Sequence, residues 1–147
     1  MMPSMRDLAF PLAVFFLVPA GCSTGGRDPH PNPRDTVKLT YQGPDVQAAL
    51  QERPTLHQLL VKVQVPSGGY QLHLEETRRA GAVTAVYLRL ESPGPDEAVT
   101  MALEEKLADV PLQPEESAVH VYVRQVQRNV EYVQQPSAEL ARVLTRS

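Results

Sequence analysis

Apolar and polar residues alternate along the middle of the chain, which is the pattern of half-buried β-strands. The pattern covers four segments: 61–65, 70–75, 82–90 and 119–123. The first three are separated by turn-forming residues at 66–69 and 79–81. These positions predict strands joined by short turns, with the first three strands forming an antiparallel meander.

Two segments before this region carry other signals. Residues 37–41 alternate and predict a further strand. Asp45 is a good helix N-cap and Pro54 cannot continue a helix, so we predict a short helix over 46–53.

The last third of the chain is less uniform. Residues 98–112 fit both a helical face and a two-residue alternation, and we favour a strand for much of this segment because its neighbours are strands. Residues 136–143 predict a short terminal helix. About six strands with one or two short helices indicate a mainly β protein, either a small antiparallel β-sandwich or an open barrel.

The beginning of the chain has a different pattern. Residues 8–20 are apolar throughout, which is too short for a transmembrane helix of about 20 residues and fits the core of a signal peptide. Residues 23–36 are dense in Gly, Pro and polar side chains, as in a flexible tether. We therefore expect a signal peptide over 1–21, Cys22 and its tether over 22–36, and one β-rich domain over 37–147.

The segment 18–22, Val-Pro-Ala-Gly-Cys, resembles the lipobox of bacterial lipoproteins. The resemblance implies that the Cys22 thiol carries diacylglycerol, that the chain is cut before Cys22, and that the new N-terminus is acylated. More than one acyl chain makes membrane anchoring stable. The alternatives are ordinary secretion, with cleavage after Ala20, and an uncleaved anchor. Ser23 resembles the residue that follows the cysteine in outer-membrane lipoproteins, so we expect a lipid-anchored protein of the cell envelope, facing the periplasm if the host has two membranes.

Composition excludes several classes of function. The formal net charge is −3, whereas a nucleic-acid binder usually carries a basic stripe. One cysteine cannot form an internal disulfide. The sequence contains neither a Gly-x-Ser-x-Gly elbow nor a phosphate-binding glycine loop. We predict no catalytic residue and no cofactor.

One arrangement could hold a metal ion. His73 and Glu75 stand two residues apart on a predicted strand, and His120 on another strand could complete a zinc-type set of three ligands. Such a site would make the protein a metal-assisted hydrolase. The simpler interpretation, which we favour, is that all three are polar residues of solvent-exposed faces, without metal.

The segments 66–70 (Pro-Ser-Gly-Gly-Tyr), 86–90 (Val-Tyr-Leu-Arg-Leu) and 92–95 (Ser-Pro-Gly-Pro) resemble the C-terminal domain of bacterial protease-complex accessory proteins of the PrcB type. The resemblance covers about 61–126. It implies a β fold and a protein-binding role, and it transfers no catalytic residue.

Three residues are candidates for partner binding, because Tyr and Arg are favoured contact residues. Tyr122 and Arg124 are expected on the solvent-exposed face of a strand, and Tyr70 stands beside a flexible turn. The competing interpretation is that these rings pack in the core, which fits Tyr70 better than Tyr122. We expect a non-catalytic protein-binding or structural module that contacts another envelope protein, or alternatively an accessory subunit or inhibitor of a secreted protease.

Overall fold

The computed structural model describes residues 38–54 and 56–146. The expected signal peptide, the tether and the lipid-bearing Cys22 lie outside these residues. Within the described residues, no helix is long and apolar enough to cross a membrane.

Seven β-strands form the described part of the chain, which contains no α-helix. Their bounds are β1 Val46–Arg53, β2 Leu56–Val65, β3 Gln71–Ala80, β4 Val83–Ser92, β5 Glu104–Leu112, β6 Ala118–Gln127 and β7 Glu139–Thr145. The prediction of a mainly β fold is confirmed.

The strands form two open sheets that pack as a sandwich. One has three strands in the order β1-β2-β5, and the other has four in the order β3-β4-β6-β7. All neighbours are antiparallel except β4 and β6, which run parallel. The antiparallel prediction is therefore wrong for this pair. Parallel neighbours need a long connection, and here the chain crosses to the other sheet as β5 before it returns as β6.

The core lies between the sheets and is built mainly from Val and Leu. Every second residue of β2 from Leu59 to Val65 is fully buried, and the facing residues of β4 and β6 meet them. The buried set includes Leu59, Val61, Val63, Val65, Val86, Leu88, Leu90, Val119, Val121 and Val123. Burying one such side chain contributes roughly 1.5–3 kcal/mol, so the two-residue alternation accounts for most of the attraction between the sheets.

The predicted meander is only partly correct. β3 and β4 form the expected hairpin, but β2 and β3 belong to different sheets. The turn at 66–69 therefore carries the chain from one sheet to the other. The strand favoured within 98–112 is confirmed for Glu104–Leu112, whereas residues 98–103 lead into it without regular structure.

The predicted helix over 46–53 is wrong, because these residues form β1. Each residue of β1 pairs with β2, and the Asp45 carbonyl accepts the Gln64 amide at 3.0 Å. Val46, Ala48 and Leu50 turn toward the core at period two. Pairing with the edge of β2 outweighs the local helix-cap signal, as tertiary context commonly does.

The predicted helix over 136–143 is also wrong, since it becomes β7 at the edge of β6. The predicted strand over 37–41 is absent from its described residues, 38–41. They still contact β7, because the amides of Thr40 and Tyr41 both donate to the Leu140 carbonyl at 3.0 and 3.2 Å. Near Leu140, β7 therefore pairs with β6 along one edge and accepts hydrogen bonds from residues 40–41 along the other.

Candidate functional site

The outer face of the four-stranded sheet gathers most of the residues that the sequence singled out. β4 and β6 run parallel and in register, so Tyr87 lies beside Tyr122 and Arg89 beside Arg124. The two tyrosine rings stack with their centroids 5.0 Å apart.

Tyr122 is only 1% exposed. Its ring shares a second apolar cluster with Ala138 and Leu140, and Arg124 reaches Gln135 at 3.1 Å, so residues after β6 return across this face. The expectation of a solvent-exposed Tyr122 is therefore wrong. Arg124 is also buried, at 9% exposure.

A β-bulge brings a carboxylate to this face. The register between β3 and β4 shifts between Leu74 and Glu76, so Glu75 has no partner position in the ladder. Its side chain forms an ion pair with Arg124, and its Oε1 lies 3.9 Å from Nε of Arg89. Bulges commonly redirect a side chain in this way. The pair is nearly buried, with 14% of the Glu75 and 11% of the Arg124 side chain exposed.

A third arginine completes this group. Arg78 lies 5.4 Å from the centroid of the Tyr87 ring, a cation–π distance, and its Nε donates to Glu76 at 2.7 Å. We call Glu75, Arg78, Tyr87, Arg89, Tyr122 and Arg124 the outer-face cluster. Its two rings and Arg124 are buried, so the hydrogen bonds and the aromatic stacking of the cluster hold the packing of this face.

Tyr70 does not belong to this group. Its half-buried ring packs against the core between the sheets, on the opposite side of the four-stranded sheet from Tyr122. The structure therefore brings Tyr122 and Arg124 together and leaves Tyr70 apart from them.

The three candidate metal ligands do not converge. His73 lies opposite Arg89 and contacts Glu91 at 3.4 Å, whereas His120 lies opposite Ala85. Glu75 is turned toward arginine, as described above. Glu75 and His120 are nearly buried, so the interpretation that all three lie on solvent-exposed faces is correct for His73 and wrong for the other two. Within residues 38–54 and 56–146, no group of three or more His, Cys, Asp or Glu side chains is placed to hold a metal ion. The metal-assisted hydrolase thus lacks its required geometry in this part of the chain.

A guanidinium joins two loops at one end of the sandwich. Arg128 donates to Glu97 at 2.5 Å and to the Gly69 carbonyl at 2.8 Å, and Glu97 accepts the Gly94 amide at 2.7 Å. The Gly94 amide and then Arg128 lower the pKa of Glu97 below its ordinary value. We call residues 66–69 and 93–103, which these contacts hold together, the paired loops.

The paired loops carry exposed apolar side chains. Met101 is 86% and Leu103 is 72% exposed, at two positions that precede β5. The Gly68 amide fixes this stretch by donating to the Thr100 carbonyl at 2.8 Å. Because these two apolar side chains lie close together in sequence on a backbone held in this way, the paired loops are a candidate contact surface.

Another feature, which the sequence reasoning missed, is a cavity of about 270 Å³ between the edges of the two sheets. Arg79, Thr84 and Glu116 are among its lining residues. Thr84 is 4% and Glu116 is 6% exposed. The sequence signal for this cavity was Thr84, a polar residue within the apolar run of β4. It lies two residues from Val86 and therefore on the same buried face of the strand. We call this cavity the β3–β5 mouth.

Comparison with known families supports part of the expected resemblance. A family model described as PrcB C-terminal matches residues 63–104, which is under a third of the 147-residue chain. The matched segment runs from the end of β2 through the hairpin of β3 and β4 and includes the paired loops. No curated protein and no solved structure matches the chain.

Proposed function

We propose that this protein is a non-catalytic, lipid-anchored module of the cell envelope that binds an extracytoplasmic protease. The observation that carries the proposal is the similarity of residues 63–104 to the PrcB C-terminal family, whose type is associated with protease complexes. Its role is then that of an accessory subunit or an inhibitor.

The geometry of the matched segment supports a binding role. It contains the paired loops, whose backbone is held by Arg128 and whose Met101 and Leu103 are exposed. A rigid loop that presents apolar side chains loses little conformational entropy when a partner covers it. We therefore propose the paired loops as the surface that contacts the protease.

The sequence 18–22 supports the anchor. Two or more acyl chains on Cys22 would hold the protein at the membrane, and the tether of residues 23–36 reaches at most roughly 50 Å when fully extended. A module held this way meets partners at or near the membrane surface.

Site-specific photo-crosslinking tests the partner. A benzophenone amino acid is placed at Met101 in the full-length chain, and the products formed in the envelope of the native host are identified by mass spectrometry. Val133 is the matched control position, because it is fully exposed yet lies outside the matched segment. We expect a secreted or membrane-bound protease to be captured from position 101 and not from 133.

Two further readouts complete the test. Cys22→Ala should release the protein from membranes and reduce the crosslink, whereas intact mass shows whether the wild type carries lipid. The activity of the captured protease should rise with added protein for an accessory subunit and fall for an inhibitor. Capture of no protease from position 101, or equal capture from 133, contradicts the proposal.

A further inference from the structure

The β3–β5 mouth lies where two sheet edges meet. β3 borders the four-stranded sheet and β5 borders the three-stranded sheet, and the two strands lie side by side without belonging to one ladder. Arg79 pairs with Thr84 across the hairpin, so both residues share the face that elsewhere carries the core. Polar residues therefore line the mouth at positions where a sandwich usually closes with apolar ones.

Two buried polar atoms of the mouth have no hydrogen-bond partner among the described residues. They are Oγ1 of Thr84 and Oε2 of Glu116. Buried polar groups in folded proteins are nearly always hydrogen-bonded, and leaving one unpaired is costly. Both atoms are also closed to solvent, so hydrogen-bond donors of a ligand can satisfy them only when a neighbouring side chain moves aside.

The charges around the mouth do not balance. Arg78 pairs with Glu76 at 2.7 Å and Arg146 pairs with Glu52, whereas Arg79 forms ion pairs with both Glu115 and Glu116. Its Nη2 lies 3.5 Å from Glu115 and 3.4 Å from Glu116, both longer than the 2.7–2.9 Å of a strong charged hydrogen bond. One loosely placed guanidinium thus serves two carboxylates, of which the buried one is Glu116.

We propose that the β3–β5 mouth binds a basic side chain, Lys or Arg, carried by an extended segment of the partner polypeptide. The ligand's N–H groups donate to Glu116 and Thr84, while Arg79 remains with the exposed Glu115. The cavity volume of about 270 Å³ accommodates one long side chain. This inference rests on the proposed protein-binding function and adds the chemistry that the partner presents.

The neighbouring backbone suits an extended segment. Edge strands carry amide and carbonyl groups that point away from their own sheet, and peptides commonly bind by adding to such an edge. β5 lies beside this edge, so the segment would add to β3 where the β3–β5 mouth opens and would place alternate side chains toward the gap between the sheets.

Selection from a library of displayed random heptapeptides tests the proposal on the full-length chain. We expect the enriched peptides to share Lys or Arg at one position. Replacing that residue with Gln should weaken binding about tenfold, the loss expected for one charge-assisted hydrogen bond. Enrichment without a common basic position, or no enrichment, overturns the proposal.

Glu116→Gln and Glu115→Gln form a matched pair, because the two adjacent carboxylates differ mainly in burial, with 6% and 77% of the side chain exposed. Glu116→Gln should weaken the selected peptide about tenfold, while Glu115→Gln should change its affinity less than about twofold. The thermal midpoint of Glu116→Gln should not fall, because the amide removes a buried charge at constant size. Equal affinities for the two variants contradict the assignment.

The selection uses no protease, so its result is separable from that of the crosslinking experiment. Peptide binding that depends on Glu116, together with no captured protease, would refute the proposed partner and retain the site. Capture of a protease, together with enriched peptides that share no basic position, would refute the proposed site and support the proposed partner.

Discussion

Glu75 and Arg124 form the ion pair that ties β3 to β6 across the intervening strand β4. Both charges are nearly buried, so each depends on the other for compensation. The Arg124 guanidinium also donates to Gln135, which joins the pair to the segment that covers Tyr122. Loss of either charge should therefore affect the packing of the whole outer-face cluster.

We predict that Glu75→Ala lowers the free energy of unfolding by about 3 kcal/mol, because it leaves a buried guanidinium without its carboxylate. Glu105→Ala is the control, since the Glu105–Lys62 pair is 3.6 Å long and half exposed. Its cost should stay below about 1 kcal/mol. Urea unfolding of both variants gives the two values.

A double-mutant cycle identifies the cause. Glu75→Ala combined with Arg124→Met should destabilise the fold by less than the sum of the single changes, because the second change removes the uncompensated charge. Strict additivity would show that the two side chains do not stabilise each other.

At the scale of elements, the turns on either side of β3 each place a glycine in the left-handed backbone conformation, but the two turns have different surroundings. Gly69 and Gly81 both adopt positive φ angles, of 84° and 67°. A β-carbon at Gly69 would lie 2.7 Å from Val99, which belongs to the paired loops. The turn at Gly69 therefore constrains both the backbone and the packing of a neighbouring loop.

We predict that Gly81→Ala costs about 1–2 kcal/mol, the price of a left-handed conformation for a residue with a side chain. Gly69→Ala should cost more, because Val99 must also move. Thermal unfolding of the two variants compares the stabilities, and crosslinking from position 101 reports whether the paired loops have shifted. Equal destabilisation by both substitutions would show that the Val99 contact carries no stability.

The elements also show what the sequence could predict. The central strands β2, β4 and β6 were predicted from their alternation, because burial on one face imposes a two-residue period. The edge strands β1 and β7 were predicted as helices, because the signals at Asp45 and Pro136 are local and the partner strands are distant in sequence. Only the pairing of β1 with β2 and of β7 with β6 decides their structure.

The candidate sites were less predictable than the strands. Arg124 was selected as a contact residue, yet its ion pair with Glu75 depends on a bulge in β3 that has no clear sequence signal. The β3–β5 mouth brings together Thr84 of β4 and Glu116, which follows β5. The two residues are therefore separated in sequence by the whole of β5. Such a juxtaposition follows from topology and could not be inferred from spacing.

At the scale of the whole molecule, Arg146 joins the two sheets near the end of the chain. It follows β7 of the four-stranded sheet and reaches Glu52 and His57 of the three-stranded sheet, the latter at 2.5 Å. It also donates to the Pro114 carbonyl at 2.8 Å, beside the β3–β5 mouth. One side chain therefore links three distant parts of the sequence.

We predict that Arg146→Met lowers the free energy of unfolding by about 2 kcal/mol through the loss of charge-assisted hydrogen bonds. Arg142→Met is the control, because Arg142 is 42% exposed and contacts Asp45 at 3.4 Å, so its cost should stay below about 1 kcal/mol. Urea unfolding measures the free energies of both variants. An m-value equal to that of the wild type shows that the change is one of stability. Similar values for the two variants would contradict a special role for Arg146.

The effect of Arg146 should also depend on pH. Its hydrogen bond and its charge lower the pKa of Glu52 in the folded protein. The resulting stabilisation is present above the ordinary pKa of a glutamate and is lost as the pH falls through the lowered value. The difference in stability between wild type and Arg146→Met should therefore shrink from pH 7 toward pH 3. A constant difference over that range would show that the Arg146 link acts through its backbone carbonyl contacts alone.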